Sequence, residues 1–153
     1  MTGERNLERL LRHLAPELHA AHYVYCSFAD QRLPDGLDAL CTFRETEGLT
    51  AVVERAKAVA AGVPHVFEAR LITLTIHSSL DAIGMIAAVA SALAAAGIPC
   101  NAIAAYHHDH ILVPIAQATQ AMSVLQALAS GSGGEPSPHS DDDTGPAAQA
   151  LTI

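Results

Sequence analysis

Three groups of side chains in this sequence have the types that chemistry needs. The run His107-His108-Asp109-His110 gathers three imidazoles and a carboxylate, the usual ligand types for zinc and similar ions. On extended chain His108 and His110 fall on one side and Asp109 on the other. Two of the four then share an ion readily, and a third ligand must come from elsewhere, with His77 a candidate. A polar hairpin turn explains the same run without an ion, and no metal is expected. His77, Ser78 and Asp81 have the residue types of a hydrolytic triad, but neighbours in sequence are badly placed to align nucleophile, base and orienting group. Neither G-x-S-x-G nor G-x-x-x-x-G-K-[ST] occurs. Cys26, Cys41 and Cys100 make no C-x-x-C pair and no even framework, so reduced thiols are expected. Cys100 follows Pro99 and reads as a small core residue rather than a nucleophile. The expectation is no catalytic residue and no cofactor: not an enzyme.

The stretch Ser78, Ser79, Leu80, Asp81, Ala82, Ile83, Gly84 suits binding better. It leads from an apolar run into an Ala-rich one, and backbone N–H groups at the start of a helix are unsatisfied and favour a carboxylate. Gly84, with no side chain, lets a ligand or a neighbouring backbone approach closely. The plainer reading keeps Ser78 as a helix cap and Gly84 as a packing residue. Both readings stay open on these residues alone.

Charge limits the partners. The net charge is −8 with histidine neutral, and all eight Lys and Arg lie at or before Arg70. A phosphate-binding surface needs clustered cations, so neither nucleic acid nor an anionic membrane is an expected partner. The apolar run from Ala82 to Gly97 is mostly Ala, is broken by Ser91, and falls short of the ~20 strongly apolar residues that span a bilayer. Met1 to Arg12 is charged and helix-patterned, unlike a secretory leader, so a cytoplasmic protein is expected.

The elements that must hold these residues follow from local pattern. Val66 to His77 is β-branched at its centre and reads as a strand. Ser78 and Asp81 form an S-x-x-D cap for a helix over about Leu80 to Ala96, stopped by Gly97 and Pro99. Cys100 to Tyr106 and Ile111 to Ile115 read as strands joined through His107–His110, and Ala116 to Leu128 as a helix. In the first half, Leu7, Leu10, Leu11 and Leu14 mark a short helix ending at Pro16. Tyr23 to Phe28 and Leu37 to Phe43 read as strands flanking a Pro-Asp-Gly turn, Leu49 to Val53 as a third, and Glu54 to Ala61 as a helix. The helix over Ala82 to Ala96 is apolar nearly all round and calls for cover on more than one side, from the other half or another subunit. The residues from Ser130 are Gly-, Ser-, Pro- and Asp-rich, so 130–153 is expected to be a disordered tail.

The segment Leu71 to Leu80, then Ala82-Ile83-Gly84 and Ala87 to Ile98, resembles the opening strand, loop and helix of an ACT domain, and Asn101 to Tyr106 with Asp109 to Pro114 resembles its central hairpin. Tyr23-Val24-Tyr25-Cys26, His77-Ser78-Ser79-Leu80 and Tyr106-His107-His108-Asp109-His110 look like phrases of short bacterial tandem ACT proteins related to the ACT pairs of the arginine-sensing CASTOR proteins. The resemblance covers about residues 7 to 129. It implies an α+β, ferredoxin-like ACT fold (βαββα) in two ACT-like units, with antiparallel sheets and helices on one face. The units would be a degenerate one at 1–64 and a fuller one at 65–129. It further implies a regulatory sensor for a small amino-acid-like effector, bound at Ser78 to Gly84. A homodimer that passes occupancy to a regulated protein partner is expected; the alternative is a structural or protein-interaction module without a ligand. Two departures stand out: the loop lacks the Pro-Gly of many ACT domains, and no fourth strand is evident after Leu128.

Overall fold

The computed structural model describes residues 6–76 and 82–131. The elements run α1 (Leu7–Arg12), β1 (Pro16–Phe28), β2 (Ala39–Arg44), β3 (Leu49–Glu54), α2 (Arg55–Ala60), β4 (Val66–Leu74), α3 (Met85–Ala95), β5 (Asn101–Ala104), β6 (Asp109–Pro114) and α4 (Ala118–Ala129). A single 3-10 turn, Ile115–Gln117, leads into α4.

All six strands join one antiparallel sheet in the order β2-β3-β1-β4-β6-β5. The two halves meet at its centre, where β1 pairs with β4. The strand missing after Leu128 is thus supplied from the first half: β1 takes the place beside β4. The reverse holds too, since β4 lies beside β1 and completes the β2-β3-β1 half. The repeat is clearest in the hairpins. Arg44↔Leu49 closes one and Ala104↔Asp109 the other, each around a four-residue loop, and a helix or helical turn follows β3 and β6 at once.

Alternation along the strands divides the core into two faces. Ile72, Leu74, Ile111 and Val113 meet Val89 and Leu93 of α3, Ala121 and Leu125 of α4 and Leu10 of α1. On the same face Val24, Cys26, Ala51 and Val53 meet Ala58 of α2. Helices therefore cover one face of the sheet. The cover that the apolar α3 requires comes from α4 and from α1 of the other half. The opposite face carries Val52, Ala69, Leu71 and Leu112, all 3% exposed or less, with no helix among the described residues over them. They are buried by the curl of the sheet, which brings the edge strands β2 and β5 to line one cleft.

Several boundaries differ from expectation, each for a physical reason. The expected helix from Leu80 starts at Met85, because Gly84 at φ +96 turns the chain and takes the N-cap position. The expected S-x-x-D cap is therefore not the start of α3, and Ser78 and Asp81 lie outside the described residues. The first strand begins at Pro16 rather than Tyr23. Proline is tolerated as a strand's first residue, and pairing with β4 extends a segment whose own β propensity is low. The strand from Val66 ends at Leu74, short of His77. Asp109 and His110 belong to β6, so the hairpin loop is 105–108. Of the expected tail, only Ser130 and Gly131 are among the described residues.

Candidate functional site

The loop singled out for binding is described at Ala82, Ile83 and Gly84, while Ser78, Ser79, Leu80 and Asp81 lie outside the described residues. Ile83 is 85% exposed beside the start of α3. Gly84 has no side chain with which to cap the helix, so the first N–H groups of α3 receive nothing from the N-cap residue. A Cβ at Gly84 would lie 3.1 Å from Leu7 Cδ2, so α1 of the first half packs directly against this helix start.

The histidines come together differently from the reading of their run. On the inner face, opposite the helices, Thr73 Oγ1 lies 2.7 Å from His19 Nε2 and 3.0 Å from His110 Nδ1, a row spanning β1, β4 and β6. His108 turns away and places Nδ1 3.2 Å from the Ile76 carbonyl. Burial holds the His110 pKa below its ordinary value, with His108 and His19 adding in the same direction and Asp109 opposing. Among the described residues no three His, Cys, Asp or Glu side chains gather to hold a metal ion. His77, the candidate third ligand, lies outside them.

Two cavities open on the inner face. One, of about 570 Å³, lies inside the curl between Cys41 and Phe43 of β2 and Asn101 and Ile103 of β5, with Tyr25 and Val52 also lining it. The other, of about 390 Å³, is lined by Tyr25, Ser27, Thr50, Pro64, His65 and Val66. Burial raises the pKa of the Cys41 and Cys100 thiols, which suits packing more than nucleophilic attack. Sequence reading missed His19, Ser27, Thr50, His65 and Thr73. Pairing between strands distant in sequence brings them together: His19 stands four residues before Tyr23 and His65 four before Ala69, a match that has meaning only once Tyr23 is seen to pair with Ala69.

Comparison with known proteins agrees with this fold. Residues 2–70 match one family model described as an ACT domain and residues 66–127 match a second, so the two overlap in β4, the strand that both halves use. No curated protein matches the chain. Among solved structures, a Vibrio cholerae protein of unknown function, described as a possible transport protein, is 46% identical with a TM-score of 0.73, over 80% of this chain and 95% of that one. An Agrobacterium tumefaciens protein is 17% identical, with a TM-score of 0.61 over 74% of this chain and 87% of that one. The ligand-free regulatory subunit of aspartate kinase from Thermus thermophilus shares the fold at 11% identity and a TM-score of 0.57, over 74% and 95% of the two chains.

Proposed function

The chain belongs to the ACT-domain family, and from that premise we propose that it is a regulatory protein, not an enzyme, that binds a small amino-acid-like effector. The observation that carries the reading is the tandem match to two ACT domains, the second of which contains the step from β4 into α3. The proposed site is Ser78, Ser79, Leu80, Asp81, Ala82, Ile83 and Gly84. In support, a glycine-capped helix start presents backbone N–H groups and the positive end of the helix dipole, both suited to a carboxylate. We take the units to be 1–64 and 65–129, and the protein to be a cytoplasmic homodimer that acts on another protein. Among the described residues no helix is long and apolar enough to cross a membrane.

A second reading, an interaction module with no effector, draws on the edge strand β2, where Leu40 is 45% and Phe43 71% exposed. A thermal-shift screen against the twenty amino acids separates the two, because a ligand bound only by the folded state stabilises it by ~2.7 kcal/mol at a hundredfold excess over its dissociation constant. The sensor reading expects one clear shift, lost in Ile83→Glu, which sets a carboxylate beside the proposed carboxylate site on an exposed side chain. Gly84→Leu is a poor probe, since a left-handed φ and the Leu7 contact would destabilise the variant by themselves. A flat screen favours the interaction module.

A further inference from the structure

The sheet carries an internal two-fold relation, and its two halves fill matching positions differently. Ser27↔Thr50 is the second pair from the end of the β1–β3 ladder, next to Phe28↔Leu49. Thr73↔His110 is the second pair from the end of the β4–β6 ladder, next to Leu74↔Asp109. The relation that carries Ser27 onto Thr73 and Thr50 onto His110 also carries His65 onto His19, each four residues before one member of the central pair Tyr23↔Ala69. In the second half the position is occupied: the His110 ring bonds Thr73, which bonds His19. In the first half the residue matching His110 is the smaller Thr50, and Ser27, Thr50 and His65 instead line the cavity of about 390 Å³.

Two polar atoms around that cavity are left open, the Ser27 hydroxyl and His65 Nε2. Ser27 is exposed and its hydroxyl has no hydrogen-bond partner among the described residues. His65 uses Nδ1 toward the Val63 carbonyl at 3.0 Å, and its Nε2, the atom that His19 turns to Thr73, has no such partner. Thr50 donates its hydroxyl to Glu45, so it does not compete for Ser27. Tyr25 and Val66 give the cavity apolar walls.

The geometry points to a ligand site here for a small molecule bearing an azole ring, which would sit where His110 sits in the other half and bond the Ser27 hydroxyl through a ring nitrogen. This goes beyond the effector loop and does not depend on it, since none of these residues belongs to 78–84.

Imidazole itself is the probe, titrated into the full chain with backbone amide shifts read at residues 25–28, 49–51 and 64–66. Saturable shifts confined to these residues are expected. Thr50→His, which supplies the ring from the chain, should reduce imidazole affinity at least about tenfold, and Ser27→Ala roughly two- to tenfold through the lost hydrogen bond. Shifts that do not saturate, or affinity unchanged in both variants, would overturn the assignment. Ser27→Ala alters an exposed hydroxyl, so it keeps the test decisive even if Thr50→His folds poorly.

Discussion

Thr73 has one hydroxyl proton for two imidazoles, so His19 and His110 cannot both accept from it, and at least one must donate. Burial lowers the His110 pKa and so favours its neutral ring. Because its folded-state pKa lies below the unfolded value of about 6.5, the unfolded chain binds the proton more readily. The stability it contributes is present above about pH 6.5 and is lost as pH falls through the folded-state value. The urea midpoint should therefore drop between pH 7.5 and 5.5, and His110→Gln, which keeps a hydrogen-bonding group near Thr73, should flatten that drop. An unchanged pH profile in the variant would show that His110 does not carry the drop. Close approach is equally local at Gly48, where an added Cβ would stand 2.6 Å from the Phe28 carbonyl oxygen, so the β2–β3 loop can pass over the end of β1 only with glycine there.

At the scale of elements, α1 is only six residues and would not persist alone, yet Leu10 is fully buried against α3 and α4. Leu10→Ala should cost about 2–5 kcal/mol, visible as a lower urea midpoint with unchanged slope. A loss below about 1 kcal/mol would mean that α1 is not the cover that α3 needs. The elements legible in the sequence were those with strong local pattern: β4 from its β-branched centre, β3 from Leu49-Thr50-Ala51-Val52-Val53, and α4 from Ala118, Met122 and Leu125. The start of β1 was not legible, because Glu17 to His22 becomes a strand through pairing with β4, a contact distant in sequence. The start of α3 was misread because Ser78 and Asp81 offered a cap pattern while the chain turns later, at Gly84. The Ser27, Thr50 and His65 cavity was hidden for the first reason: nothing local says that these residues share a face.

At the scale of the molecule, the two ACT units are interleaved rather than strung in series. β1 and β4 are each the first strand of one unit and the completing edge of the other. Cutting between the halves would leave both central strands unpaired along one side, exposing main-chain groups and the apolar residues beneath α1. Residues 1–64 and 65–131 made separately should each be unfolded by circular dichroism, and mixing them should restore structure. A fold in either fragment alone would show units that are independent after all. The intact chain should unfold in a single transition by both far-UV dichroism and tyrosine fluorescence.

Reception of a small effector at the start of α3 would be read at its source by the amide shifts of Gly84, Met85 and Ile86 in the full chain. They would be followed while each of the twenty amino acids is added in turn. One of them should move these three amides saturably, and Ile83→Glu should abolish the movement. Amides that stay in place across the whole panel would contradict effector binding there.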